Sequence, residues 1–109
     1  KFSNTTFQHS AEYWNDDIMY IMKTSKQLER YFKGVANHHR LNILLIVKKN
    51  EGITLEGISE LLNINIKTIS EHTRKLVQAG LLNKSYRGRE VEHKLSPFGD
   101  RFFSFIKTF

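Results

Sequence analysis

Apolar residues recur at helical spacing along most of the chain, and the period shortens to two once, near the end. Trp14, Ile18, Ile21, Met22, Leu28 and Phe32 are spaced as one face of a long amphipathic helix, from about Asn15 to Gly34. Asn15 can cap it, and Asp16 and Asp17 suit its positive end. A second helix is predicted from about His38 to Lys49, capped by Asn37, with Leu41, Ile43, Leu44, Leu45 and Val47 as a broad buried face. A short third helix, Leu55 to Leu62, has Thr54 as its cap and would bury Leu55, Ile58, Leu61 and Leu62. Asn63, which tolerates a left-handed backbone, makes the tight turn into a fourth helix that Asn65 caps and that stops near Gly80.

Then the pattern alternates. "LLNKSYRGREVEHKL" reads as two strands, Leu81–Tyr86 and Glu90–Leu95, joined by an Arg-Gly-Arg turn. Ser96-Pro97 starts a last helix, along which Phe98, Phe102, Phe105, Ile106 and Phe109 form an aromatic stripe. The fold class is therefore mainly α with a small β-hairpin (α+β): about five helices and a two-stranded wing.

Composition narrows the chemistry. Seventeen basic against eleven acidic residues give a net charge of +6, which suggests an anionic partner. Residues 65–94 hold seven basic and three acidic residues, so +4 of that charge sits in the fourth helix and the wing. With no cysteine, disulfides, thiolate nucleophiles and thiolate metal sites are excluded. The run Leu44-Leu45-Ile46-Val47 is far too short to span a membrane. No Gly-rich phosphate loop or partnered nucleophile emerges, so no enzyme is expected. Glu90 and Glu92 share a strand face, which reads as a salt-bridged hairpin rather than a catalytic dyad.

In order and spacing, Arg40-Leu41, Thr68, Ser70, His72, Leu76, Ala79-Gly80-Leu81 and Arg87-Gly88-Arg89 resemble the ArsR-type winged helix-turn-helix transcription regulators over about residues 36–95. Asn37-His38-His39 departs from the family's usual Asp-Pro-Thr, Ile66 stands for a common polar residue and Thr73 for a leucine. Thr73 falls in the apolar stripe, where its hydroxyl can bond back to the Ile69 carbonyl. The resemblance implies a cytoplasmic, dimeric DNA-binding regulator, most simply a repressor, in one domain over residues 1–109. Residues 9–34 and 96–109 would then dimerise around a core at 36–95, with Trp14, Ile18, Ile21, Phe98, Phe102, Phe105 and Phe109 at the interface.

Many relatives sense metals, but the paired cysteines of one sensor site would fall at Thr54 and Glu56, and Asp100 is followed by Arg101 and Phe102 rather than a histidine pattern. Adjacent His38 and His39 should point to different faces of a helix and not share an ion. No metal and no cofactor are expected, and no effector is legible.

On a helical wheel Ile66, Ile69, Thr73, Leu76 and Val77 fall inside, while Lys67, Glu71, Arg74, Lys75 and Gln78 share the outer face, flanked by Thr68 and Ser70. The expected partner is double-stranded DNA. Asn65, Lys67, Thr68 and Ser70 would meet base edges or phosphates in the major groove, with Arg74 and Lys75 further along. In the wing, Lys84, Arg87 and Arg89 suit the minor groove or the backbone. Glu71 is either a brace for its basic neighbours, best paired with Lys75, or an acceptor for a cytosine amino group. A winged helix used as a protein-interaction module is the alternative reading, motivated by that acid and by the aromatic last helix.

Overall fold

The computed structural model describes residues 16–109, with side chains from residue 25 onward. The chain divides into two compact units, one ending at Arg30 and one spanning Tyr31–Phe109. Helix α1 covers Asp16–Val35; its proposed cap, Asn15, lies outside the described residues. In the second unit α2 (His38–Lys49), α3 (Leu55–Leu62) and α4 (Ile66–Gln78) precede strands β1 (Leu82–Arg87) and β2 (Glu90–Leu95), and α5 (Pro97–Ile106) follows.

Local capping sets these boundaries. Asn37 Oδ1 accepts from the backbone N–H groups of His39 and Arg40 at 2.8 and 3.3 Å, and Thr54 Oγ1 accepts from Gly57 at 3.1 Å. Ser96 Oγ accepts from Gly99 N–H at 3.0 Å, with Pro97 at the first helical position. Asn63 takes the left-handed conformation (φ 54°) that ends α3 and opens the tight turn to α4.

Ile43, Leu44, Val47, Ile58, Ile69, Leu76, Leu81 and Leu82 are fully buried together. Leu41, Ile46, Leu55, Leu62, Phe102 and Phe103 pack around them. Two expected core leucines do not join them. Leu61 is 57% exposed, because it sits in the last turn of a short helix that has no neighbour on that side. Leu45 is only half-buried and lies outside the cluster, whereas Ile46 packs into it.

The hairpin starts one residue later than its alternation suggests. Leu81 N–H donates to Leu76 O at 3.0 Å, closing the end of α4, so pairing begins with Leu82 opposite Leu95. Pairing runs to Arg87 opposite Glu90, leaving a two-residue turn, Gly88-Arg89, rather than three. Gly88 has φ +66°, which a two-residue hairpin connection with glycine in its first position requires. His93, 2% exposed, ties the wing to the helices. Its backbone N–H and its ring Nδ1–H both donate to Ile53 O at 3.0 Å, and its carbonyl accepts from Gly52 N–H at 2.9 Å.

Candidate nucleic-acid interface

Helix α4 is held by one face and presents the other. Asn65 Oδ1 accepts from Lys67 N–H at 2.8 Å, fixing the first turn, while Ile69, Thr73 and Leu76 are buried. Asn65, Lys67, Thr68, Ser70, Glu71, Arg74 and Lys75 are all exposed. Two inner positions depart from the wheel. Ile66 is 40% exposed, because at the first helical position no neighbouring element covers it. The Thr73 hydroxyl does not bond back to Ile69: Oγ1 is buried with no hydrogen-bond partner.

Glu71 pairs with Arg74, three residues on, rather than with Lys75. That hydrogen bond, and the charge of the guanidinium behind it, hold the Glu71 carboxyl below its usual range. The pair orients Arg74 and leaves Lys75 without a carboxylate partner among the described residues.

In the wing, Lys84, Arg87 and Arg89 are exposed. Arg87 Nη1 lies 3.5 Å from Glu92 Oε2, an ion pair across the hairpin. Arg89, Glu90 and Val91 face Thr54, Leu55 and Glu56 at the start of α3 across an open cleft, so the wing tip lies beside the helix-turn-helix.

A basic cluster that sequence spacing did not reveal flanks α4. The His38 and His39 rings lie 4.0 Å apart (centroid to centroid) rather than on opposite faces, and the His39 ring is 5.4 Å from that of His72. His38 and His39 open the first turn of α2, directly after the extended cap residue Asn37, and their rings lie tilted against each other at 39°. Burial first, then the charges of Arg40, His39 and Lys75, push the His72 ring below its usual value, while Glu71 opposes them. Among the described residues no group of three or more His, Asp or Glu is disposed to hold a metal ion. Helical periodicity carries no sign of this cluster; only the resemblance, which includes both Arg40 and His72, touches it.

Of the expected interface residues, Trp14 lies outside the described residues, as do the side chains of Ile18 and Ile21. On α5, Phe98 and Phe105 are half-exposed and Phe109, just beyond it, is 94% exposed. Phe102 instead turns inward, packing with Phe103 on the core and edge-on against Phe32 at 5.4 Å. Tyr31 stacks on Phe98 at 5.1 Å. No helix among the described residues is long and apolar enough to cross a membrane.

Residues 37–83, from the cap of α2 into β1, match the winged helix-turn-helix DNA-binding family. The fold is that of a winged helix-turn-helix, and this stretch is similar to its DNA-binding family. No curated protein sequence matches the chain. Among solved structures, reduced HlyU from Vibrio cholerae is 25% identical, with a TM-score of 0.72 over 81% of this chain and 93% of that one. The homodimeric winged helix-turn-helix DNA-binding domain of Mb0332 from Mycobacterium bovis, described as a possible ArsR-family transcriptional regulator, is 24% identical; its TM-score is 0.73 over 81% and 82%. NolR from Sinorhizobium fredii, at 16% identity, shares the fold with a TM-score of 0.71 over 80% and 87%. The family match over residues 37–83 points to DNA binding, and these neighbours share the winged-helix fold. A winged-helix DNA-binding domain does not belong to an enzyme class.

Proposed function

We propose that this chain is a sequence-specific, dimeric transcription regulator of the ArsR type, acting as a repressor on an inverted repeat. The observation that carries the reading is α4 itself: Ile69 and Leu76 are fully buried, so Lys67, Thr68, Ser70, Arg74 and Lys75 are presented outward from a rigid base, with the wing beside them. Asn65, Lys67, Thr68 and Ser70 enter the major groove first; Glu71 sets or braces base choice; Lys84, Arg87 and Arg89 take the minor groove or the backbone.

The assembly is part of the same reading. Residues 1–109 act as one domain, 36–95 as the DNA-binding core and 9–34 with 96–109 as the dimer-forming ends. Trp14, Ile18, Ile21, Phe98, Phe102, Phe105 and Phe109 belong to that interface. The homodimeric Mb0332 domain and the exposed Phe98, Phe105 and Phe109 support it. Two-fold symmetry would set the two α4 helices about 34 Å apart, facing successive major grooves. The role requires neither catalysis nor a cofactor, and it places the protein with the chromosome, in the cytoplasm.

Selection from random duplexes, with the mass of the selected complex, tests the reading. It expects an inverted repeat bound by two chains, with affinity falling steeply as salt rises. Affinity that ignores salt, or no enrichment, would refute it. Arg87→Ala with Arg89→Ala separates it from a protein-interaction module: the regulator loses DNA affinity, whereas a module loses a protein partner with DNA binding unchanged.

A further inference from the structure

The described basic groups of the DNA-binding face mostly have carboxylate partners or open solvent, but one set has neither. His39, Arg40 and His72 are half-buried, and His39 Nδ1, Arg40 Nε and His72 Nδ1 are buried with no hydrogen-bond partner. Their rings are crowded at 4.0 and 5.4 Å along His38–His39–His72, and Lys75 acts on the same site. Unpartnered buried nitrogens crowded together in this way are unusual for a native protein, and with permanently charged Arg40 and Lys75 beside the rings the site favours an anion.

Every charge that faces His72 can be named among the described residues. From α2 these are Arg40 and His39; from α4 itself they are Lys75 and Glu71. Glu71 is the only acid, and Arg74 already holds it. The cluster sits at the first turn of α2, whose positive end adds to the attraction for an anion. Its position relative to α4 is equally specific. Thr68, His72 and Lys75 are four and then three residues apart, so they run down one flank of the helix, away from Ser70. A strand of nucleic-acid backbone lying along that flank meets all three and the α2 terminus together.

We propose that His38, His39 and Arg40 of α2, with His72 and Lys75 of α4, form a phosphate-binding cluster that grips the DNA backbone beside the groove α4 reads. This rests on the reading of α4 as the DNA-facing helix. Two members carry permanent charge, and the His72 imidazole, held below its usual value in the free protein, charges as the phosphate arrives, because its negative oxygens replace the missing counter-charge. Binding therefore takes up protons, and DNA affinity rises as pH falls through the range in which free His72 is still neutral and bound His72 is not. Phosphate held as a free anion uses the same chemistry, and the two sources are separable.

Fluorescence anisotropy on a selected duplex at fixed ionic strength, between about pH 7.5 and about pH 6, should show affinity rising about tenfold for wild type. In the double variant His39→Gln/His72→Gln, checked for unchanged fold by circular dichroism, the rise should shrink to about twofold or less. Arg87→Ala/Arg89→Ala should weaken binding at both pH values and keep the pH dependence, because the wing lies outside the cluster. A double histidine variant that keeps the wild-type pH dependence overturns the proposal. The imidazole proton signals of wild type, followed by NMR during titration with inorganic phosphate and then with duplex, distinguish the source. Shifts with duplex at phosphate levels that give none assign the cluster to the DNA backbone. If no duplex binds, the regulator reading fails by itself, and the backbone assignment falls with it. Saturating shifts with inorganic phosphate alone would then make the cluster a free-anion site, and absence of shifts with either would refute phosphate binding altogether.

Discussion

Replacing Thr73 with valine should make this protein more stable, against the usual direction of core substitutions. Thr73 is 3% exposed in the middle of α4, between fully buried Ile69 and Leu76, and its hydroxyl has no partner. A buried, unsatisfied polar group costs about 1–3 kcal/mol. Valine has nearly the same shape and a similar helix propensity, so it fills the same space and removes that cost. The added methyl contributes up to about 0.8 kcal/mol of burial. Allowing for side-chain adjustment, the net gain should be about 1–2 kcal/mol, a rise in melting temperature of at least about 4 °C for a chain of this size. Urea unfolding followed by circular dichroism at one fixed protein concentration measures it, since association would otherwise shift the midpoint. The midpoint should move up with an unchanged slope, and Thr73→Ala should fall below both wild type and valine because it opens a cavity. If valine unfolds at lower urea than threonine, the hydroxyl has a partner in solution, such as the Ile69 carbonyl one turn back, and the reasoning fails.

Gly99→Ala should destabilise by about 1–3 kcal/mol, since a Cβ there would stand 2.1 Å from the backbone oxygen of Leu81; thermal melts would report the displaced α5. Glu71→Gln releases Arg74: a uniform rise in affinity across sequences marks the acid as a brace, whereas lost discrimination at one base position marks it as a base reader. Since the folded His72 ring titrates below its ordinary value of 6.5, the unfolded chain binds the proton more tightly. Without DNA, stability should thus be full above that value and fall as pH drops from it toward the lower folded value, and His72→Gln should flatten the change in urea midpoint over that range.

The fold was legible where its determinants are local. Asn37, Thr54, Asn65 and Ser96 are caps within two or three residues of the groups they bond, so the helix starts follow from short stretches of sequence. The hairpin register slipped by one because Leu81 N–H is taken by Leu76 O, a choice made by the end of the preceding helix. Burial was legible only in the middle of elements: Ile69 and Leu76 lie inside as their period requires, whereas Leu61 and Ile66, near helix ends, have nothing above them. Nor does a helical wheel decide between i+3 and i+4 partners for Glu71, or inward Phe102 and outward Phe98 on one aromatic stripe. The histidine cluster joins residues more than thirty positions apart, and only the packing of α2 against α4 brings them together.

The junction at the root of the wing gives the molecule a fulcrum. Ser96 Oγ donates to Gly80 O at 2.6 Å, Ser96 N–H donates to Leu81 O at 3.0 Å, and Gly99 lies against that same Leu81 oxygen. The end of α4, both ends of the hairpin and the start of α5 are thus pinned within a few residues. From Leu82 and Leu95 to the tip is six residues of strand, about 20 Å at about 3.3 Å each. Where the His93–Ile53 tie gives way, a tilt of α5 by about 5° about this point, passed to the hairpin, would carry Arg87 and Arg89 about 1.7 Å, more than half the length of a hydrogen bond. A small rearrangement of the aromatic helix is therefore geared up at the wing once that second tie is released.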